Sequence, residues 1–388
     1  MRWAWMIAAA MIFSGGGVAV AQGVGGAVQA GSGKVQVGGV DALRLSREAT
    51  GSGGKPEFVS VTTLPGRGMN VFQMTAMLPG RGEVELLRSP SLEEAAAKLN
   101  GEGEDAYGNL NHSFGAAFLI PFSSRMGGVV SADGKTVSTS WRGHEIHLPD
   151  DFMGKYAVHG LINQMKVEEL HTTTTADGQT VTGVIHAGDF GGHWLSRTDL
   201  HFTIALTGAA VEVTVTAKNV GSVEEPMAIG WHPYLAIPSR DRSQARVHLA
   251  AATVARLDDK DGRTTGQLDP VAGTALDFNA TAGRVLEGSM NNNFSHLTRT
   301  HGVVDAWLED PKWGYGIRVE GMSPEIRTVH LYSPKNGTFA AIEEQFNFQD
   351  PLGAEWKGMD TGMVALRPGE STTWRVRLVL FTPGTEKK

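Results

Sequence analysis

His201-Phe202-Thr203-Ile204-Ala205-Leu206-Thr207, then Gly208, then Val211-Glu212-Val213-Thr214-Val215-Thr216 decide the fold class. Phe202, Ile204 and Leu206 fall on one side of a period-two pattern. Gly208 marks a turn, and the alternation resumes at Val211, so the stretch reads as a β-hairpin. The same period recurs elsewhere. Trp374, Val376, Leu378 and Leu380 point one way, with Arg375 and Arg377 opposite. Phe58-Val59-Ser60-Val61-Thr62 and Ile317-Arg318-Val319-Glu320 look alike. Turn signals separate such runs at Ala132-Asp133-Gly134, Ala176-Asp177-Gly178 and Lys335-Asn336-Gly337. One helix is expected in Ser89–Leu99, with a cap serine, Pro90 in the first turn and early glutamates. No internal repeat or Pro/Ser linker divides the chain. The pattern implies one large, mainly antiparallel β structure, and periodicity leaves sandwich and barrel both open.

Composition supports this. The 388 residues include 50 glycines, nearly twice the usual share of about 7%. Glycine supplies positive φ in tight turns. With 41% hydrophobic and 19% charged residues, a packed core is available and intrinsic disorder is excluded. Length alone allows two or three domains, but all-β folds run longer as one unit. The net charge of −7 argues against nucleic acid or an anionic membrane as the main partner. There is no cysteine, so disulfides, thiol nucleophiles and thiolate metal sites are excluded.

Met1-Arg2, the apolar run Trp3 to Phe13 and Ala19-Val20-Ala21 form the pattern of a secretory signal. Cleavage is expected after Ala21, giving a periplasmic or secreted protein with no membrane attachment. The run is too short to span a bilayer, which needs about 20 apolar residues. Residues 22–36 read as a flexible leader and 37–388 as a single domain.

Thirteen histidines invite a metal reading. His144-Glu145-Ile146-His147 and His193 lack the spacing of zinc hydrolases and read as solvated or core-edge side chains. No metal and no cofactor are expected. A nucleophile elbow and a phosphate loop are missing from the sequence. A different set stands out: Arg125 in Pro121-Phe122-Ser123-Ser124-Arg125, His159 in Val158-His159-Gly160, His232 in Gly230-Trp231-His232-Pro233-Tyr234-Leu235, and paired carboxylates in Ala341-Ile342-Glu343-Glu344-Gln345-Phe346. A strand is expected to end at Pro233. One carboxylate, two imidazoles and one guanidinium suit proton transfer on a polyol.

These motifs, in this order, resemble the aldose 1-epimerases, or galactose mutarotases. The resemblance covers roughly residues 108–383 and leaves 37–107 as an N-terminal extension. It implies a large antiparallel β-supersandwich with few short helices. It also implies Glu343 as general base, His232 as general acid and His159 as a catalytic contact near the ring oxygen. Arg125, Ser124, Tyr234, Asn291, His330 and Gln345 become substrate-binding candidates. Ser124 stands where the family has Asn, and Leu161 where it has a second Gly after the histidine. Asn291 stands where the family has a substrate-binding Asp, and His330 where many members have Gln.

The implied activity is interconversion of the α and β anomers of a free aldohexose such as galactose or glucose, by a monomer or weak dimer. Reference pKa values point to an ionised Glu343 and a protonated His232, with Arg125 helping to keep Glu343 charged. Glu343 and Glu344 should face opposite sides of a strand, one in the pocket and one out. Three rivals remain open. One is a carbohydrate-binding β-sandwich without turnover. Another is a polysaccharide lyase or a glycoside hydrolase, the latter needing a second carboxylate such as Asp305 or Asp360. The third is a hexose-phosphate epimerase.

Overall fold

The computed structural model describes residues 35–384, apart from 52, 53, 259 and 261. The expected signal segment and positions 22–34 of the expected leader lie outside the described residues. Gln36, the last leader position, already opens a short strand, Gln36–Val37. No helix among the described residues is long and apolar enough to cross a membrane.

The 201–216 alternation becomes two ten-residue antiparallel strands, Thr198–Thr207 and Ala210–Asn219. Phe202 sits opposite Val215, Ile204 opposite Val213 and Leu206 opposite Val211, all buried. The C-terminal strand Ser371–Phe381 pairs next to them, setting Trp374 opposite Val215 and Val376 opposite Val213. These strands belong to a ten-stranded antiparallel sheet that also holds Glu168–Thr174, Gly178–Gly188, Tyr315–Gly321 and Val303–Asp310.

A second, eleven-stranded sheet carries the motifs. Along its path run Thr264–Pro270, Ala251–Leu257, Met290–Leu297, Thr328–Ser333, Phe339–Gln345, Gly230–Ala236, Ala116–Leu119, Asn70–Leu78, Glu57–Leu64 and Leu43–Ser46. The two sheets meet through aromatic side chains. Phe118 lies 5.2 Å from Phe202 and 6.2 Å from Trp374, and Trp231 lies 6.0 Å from Trp374. Such edge-to-face pairs add about 0.5–1.5 kcal/mol each beyond the area they bury. This answers the question periodicity left open: the architecture is a large sandwich.

The segment before residue 108 completes the second sheet. Every residue of Glu57–Leu64 is buried, and Val71 of the next strand pairs with Ala116. The helix spans Leu92–Lys98, starting two residues later than Ser89-Pro90 implied. Its cap is Ser91, whose Oγ accepts from the Glu94 N–H at 3.2 Å. Leu99, just past its end, and Ala95 pack on Val37, Leu64 and Phe72. Nearby, Arg67 and Asp105 form a fully buried ion pair at 2.8 Å.

Pro233 does not end its strand. Gly230–Ala236 runs through it, and Pro233 pairs with Ala116 on one side. On the other side, Gly230 pairs with Gln345 and Tyr234 with Ala341, while Trp231 to Pro233 are unpaired. Proline has no N–H to give to a ladder, so the strand opens locally where the proline sits and closes again beyond it.

Candidate active site

Backbone register builds the site. Asn293 lies opposite His330, and His330 opposite Glu343. The pairs Gly230–Gln345 and Tyr234–Ala341 continue the same register and set His232 opposite Glu343. Cross-strand partners share a face, so Asn293, His330, Glu343 and His232 form one transverse row. A second row on that face holds Asn291, Tyr332 and Tyr234, and a third holds Thr328 and Gln345. The opposite face carries Trp231 and looks toward the other sheet.

Other segments bring further side chains onto this face. His159 follows the short strand Ala157–Val158, which pairs with Arg125–Met126. His159 has φ of 61°, and its N–H bonds the Ser124 carbonyl at 2.8 Å. Gly160 has φ of 85°, and a Cβ there would come within 2.2 Å of the Ile120 carbonyl oxygen. Glycine is therefore needed at 160. Leu161 is tolerated next to it, its N–H bonding that same carbonyl. The His159 ring lies 5.3 Å from the His232 ring at 89°, and 4.8 Å from that of His112.

Nε2 of His232 lies 3.3 Å from Oε1 of Glu343, though not aligned as a hydrogen bond. Gln345 Nε2 donates to the other carboxylate oxygen at 2.7 Å. Gln345 Oε1 accepts from Ser124 Oγ at 3.3 Å and from Asn293 Nδ2 at 3.5 Å. Gln345 thus orients the carboxylate, and Ser124 and Asn293 orient Gln345. The Tyr234 ring lies 4.6 Å from His232 and packs edge-on against Phe339. His330 Nε2 donates to Asn291 Oδ1 at 3.0 Å. An uncharged Asn291 suits this contact, because its oxygen accepts from a neutral imidazole.

Arg125 borders the group. Its Nη1 donates to the Gly262 carbonyl at 3.2 Å, and its guanidinium lies over Phe152 and Tyr156. Its charge depresses the pKa of His159 and of His330. The neighbour that favours the Glu343 carboxylate is Gln345, in place of the expected Arg125.

Protonation differs from the reference-value expectation. Burial pushes Glu343 well above the usual carboxylate range, offset in part by Gln345. Burial pushes His232 down to about 4. It also pushes His330 down to about 3, with the His232 and Arg125 charges adding to it. His159 falls well below 6.5, first through burial and then through the neighbouring histidines and Arg125. His159 and His330 keep some exposure, but their Nδ1 atoms are buried. The resting His232–Glu343 pair therefore holds its one proton on Glu343, where an ionised Glu343 and a protonated His232 were expected. A low-dielectric pocket favours two neutral groups over a bare ion pair.

Glu344 also departs from expectation. It is on the opposite face, as the pattern required, but it is buried against the ten-stranded sheet and not out in solvent. Gly321 makes the room, since a Cβ there would lie 2.7 Å from Glu344 Oε2. Asp305 and Asp360 do not join Glu343. Asp305 pairs with Arg318 on the other sheet, and Asp360 is mostly exposed beside Arg327.

Two residues escaped the sequence reading. His112, in the turn Asn109–Ser113, is buried beside His159. Asn163 Nδ2 donates to its Nε2 at 2.8 Å, which leaves the ring proton on Nδ1. Burial pushes His112 down to about 3. Its one sequence signal was its place just before the buried strand Ala116–Leu119. Among the described residues no group of three or more His, Asp or Glu is arranged to hold a metal ion. His144 and His147 lie exposed on a surface strand, and His193 bonds the His147 carbonyl.

The family model for aldose 1-epimerase matches residues 86–379, beginning about 20 residues before the resemblance read from the motifs. No curated protein sequence matches the chain. Solved structures do. A galactose mutarotase-like protein from Clostridium acetobutylicum is 18% identical with a TM-score of 0.68, covering 87% of this chain and 98% of that one. An aldose epimerase homologue from C. elegans is 15% identical with a TM-score of 0.63, covering 84% and 96%. Galactose 1-epimerase from Lactobacillus acidophilus NCFM is 15% identical with a TM-score of 0.60, covering 88% and 99%. At these identities the likeness is one of fold.

Proposed function

The chain belongs to the aldose 1-epimerase family, and on that premise we propose that it interconverts the α and β anomers of a free aldohexose. The observation that carries this reading is the buried His232–Glu343 contact of 3.3 Å within a row of hydrogen-bonding side chains. Mutarotation needs one group that takes a proton from the anomeric hydroxyl and one that gives a proton to the ring oxygen. A pair holding one proton between two groups supplies both.

Glu343 takes the proton from the C1 hydroxyl, and His232 gives one to the ring oxygen as the C1–O5 bond opens. For this the resting proton first crosses from Glu343 to His232. A small rotation that aligns the two groups permits that transfer, and sugar hydroxyls that hydrogen-bond the carboxylate favour it. The open-chain aldehyde turns about C1–C2 and recloses on its other face, with the proton roles reversed. His159 bonds the ring or C1 oxygen. Arg125, Ser124, Asn291, His330, Tyr234 and Gln345 line or orient the hydroxyl contacts. No step needs a cofactor.

The placement of Asp305 and Asp360 speaks against a two-carboxylate hydrolase at this site. The deciding measurement is polarimetric. Purified protein should speed the equilibration of freshly dissolved α-D-glucose or α-D-galactose. Sugar binding in calorimetry with no acceleration would instead identify a binding protein. Export is part of the proposal, and a mature N-terminus other than Gln22 after expression in a secreting host would count against it.

A further inference from the structure

Leu86, Leu87 and Arg88 run alongside the His232 strand. Leu87 bridges Leu235, the Arg88 N–H donates to the Tyr234 carbonyl at 2.9 Å, and the Arg88 carbonyl accepts from the Gly115 N–H at 2.9 Å. Hydrogen bonds on two sides thus fix the Arg88 backbone. The strand Gly230–Ala236 has Phe339–Gln345 on one flank and Ala116–Leu119 on the other. Arg88 is bonded to Gly115, next to Ala116, so it stands on the flank away from Glu343.

Its exposed side chain lies among aromatic rings. The guanidinium carbon is 5.1 Å from the Phe339 ring centre, 5.6 Å from that of Phe114 and 5.8 Å from that of Tyr234. Ring faces attract a cation and hold it in place. Nη1 donates to the Ser113 carbonyl at 2.6 Å. Among the described residues no carboxylate pairs with Arg88, and Nε and Nη2 have no hydrogen-bond partner. That free edge presents two N–H donors side by side, the spacing of the two oxygens of a carboxylate. One uncompensated positive charge matches the single negative charge of such a group.

The guanidinium is also near the reacting pair. From the His232 ring it is 4.6 Å to the Tyr234 ring, and 5.8 Å from there to the guanidinium carbon. The connectivity of a pyranose sets the direction. Its ring oxygen joins C1 to C5, and C5 carries C6. With the C1 hydroxyl at Glu343 and the ring oxygen at His232, C5 and C6 run on past His232, away from Glu343 and onto the flank of Arg88. We propose that Arg88 binds a carboxylate at C6, and that the preferred substrate is a hexuronic acid. The inference rests on the epimerase reading and names the substrate class of that site.

The test compares galacturonate with galactose and glucuronate with glucose, following mutarotation by polarimetry at neutral pH. Each pair differs at C6 alone. At least one uronate should exceed its neutral counterpart in kcat/KM by about tenfold or more, as one charge-assisted hydrogen bond supplies. Arg88→Gln should lower that uronate-to-neutral ratio several-fold. Arg88→Lys, which keeps the charge and loses the fork, should give an intermediate ratio, and it decides alone should the glutamine variant not fold. Equal kcat/KM within both pairs overturns the proposal. So does a ratio that the Arg88 variants leave unaltered, or a preference for glucose 6-phosphate over both uronates. If no sugar is turned over, the epimerase reading fails by itself, and calorimetry with the methyl glycosides of galacturonate and galactose still decides the role of Arg88. Tighter uronate binding that weakens in Arg88→Gln upholds it, and equal binding overturns it.

Discussion

His232 Nε2 and Glu343 Oε1 stand 3.3 Å apart because their residues lie opposite one another on adjacent antiparallel strands. Backbone register, more than side-chain reach, makes the contact. A slip of one residue would turn Glu343 toward the core and Glu344 toward the His232 face. The adjacent glutamate therefore has a strict address: Glu344 sits where Gly321 leaves room.

Removing either member of the pair should remove most of the chemistry. Glu343→Gln and His232→Asn should each lower kcat for mutarotation by about 10²–10⁴-fold, the share of one acid/base group. Residues that act as a unit are not additive. The double variant should thus be scarcely slower than either single one, and polarimetry at saturating sugar reads the difference.

The pH profile should differ from what reference values imply, with Glu343 and His232 exchanging the acid and alkaline limbs. The competent pair holds one proton. Below about 4 a second proton adds to His232 and no base remains. At high pH the proton leaves Glu343, which burial holds well above the carboxylate range, and no acid remains. An unperturbed pair would lose activity near 4.3 and 6.5. Here the acid limb of kcat/KM should fall near pH 4. An acid limb above pH 5 would contradict the neutral resting pair.

His112 should matter through His159. The two rings touch, and Asn163 fixes the His112 ring. His112→Ala and Asn163→Ala should each cost about tenfold in kcat/KM, and together little more than either alone, because they act in one chain of contacts. His112→Phe keeps a ring against His159 and should recover part of the loss. Additive losses, or no recovery with phenylalanine, would show that His112 serves the fold only.

Stability should carry a separate pH signature from Glu225. It is buried, accepts from the Thr198 hydroxyl at 2.9 Å, and is pushed up to about 7 by burial. A raised carboxyl contributes stability that is fully present below its unfolded pKa near 4.5 and lost as pH rises through about 7. Glu225→Gln keeps the acceptor and cannot ionise. The Tm of the variant relative to the native protein should therefore rise between pH 4.5 and pH 8, as differential scanning calorimetry can follow.

Much of this was legible in the residues. The alternation at Phe202, Ile204 and Leu206 became the buried face of a strand, and Trp374 with Val376 followed suit. Four short motifs placed His232, Glu343, His159 and Arg125 close to one another. Other features were hidden because they depend on tertiary neighbours. Pro233 reads as a strand end, yet a one-sided opening of the ladder absorbs it. The protonation of Glu343 and His232 follows from burial, which reference values do not contain. His112 carries no local pattern, and its role arises only where its turn meets the His159 loop. The fate of residues 37–107 was equally invisible, since the pairings that tie them to the sheet, Val71 with Ala116 and Leu87 with Leu235, depend on tertiary structure.

That transverse row has a consequence for how the protein is made. Its members come from strands that begin at residues 230, 290, 328 and 339, and the strand that bounds it on the other side begins at residue 116. Emerging early, Glu57–Leu64 and Asn70–Leu78 present an edge that waits for partners downstream. Such long-range pairing slows folding. The His232 strand gains its Glu343 neighbour only after nearly all of the chain has been synthesised. Under the proposed function, activity is thus a late event in the life of each molecule, and its onset after dilution from denaturant would time the docking of Phe339–Gln345.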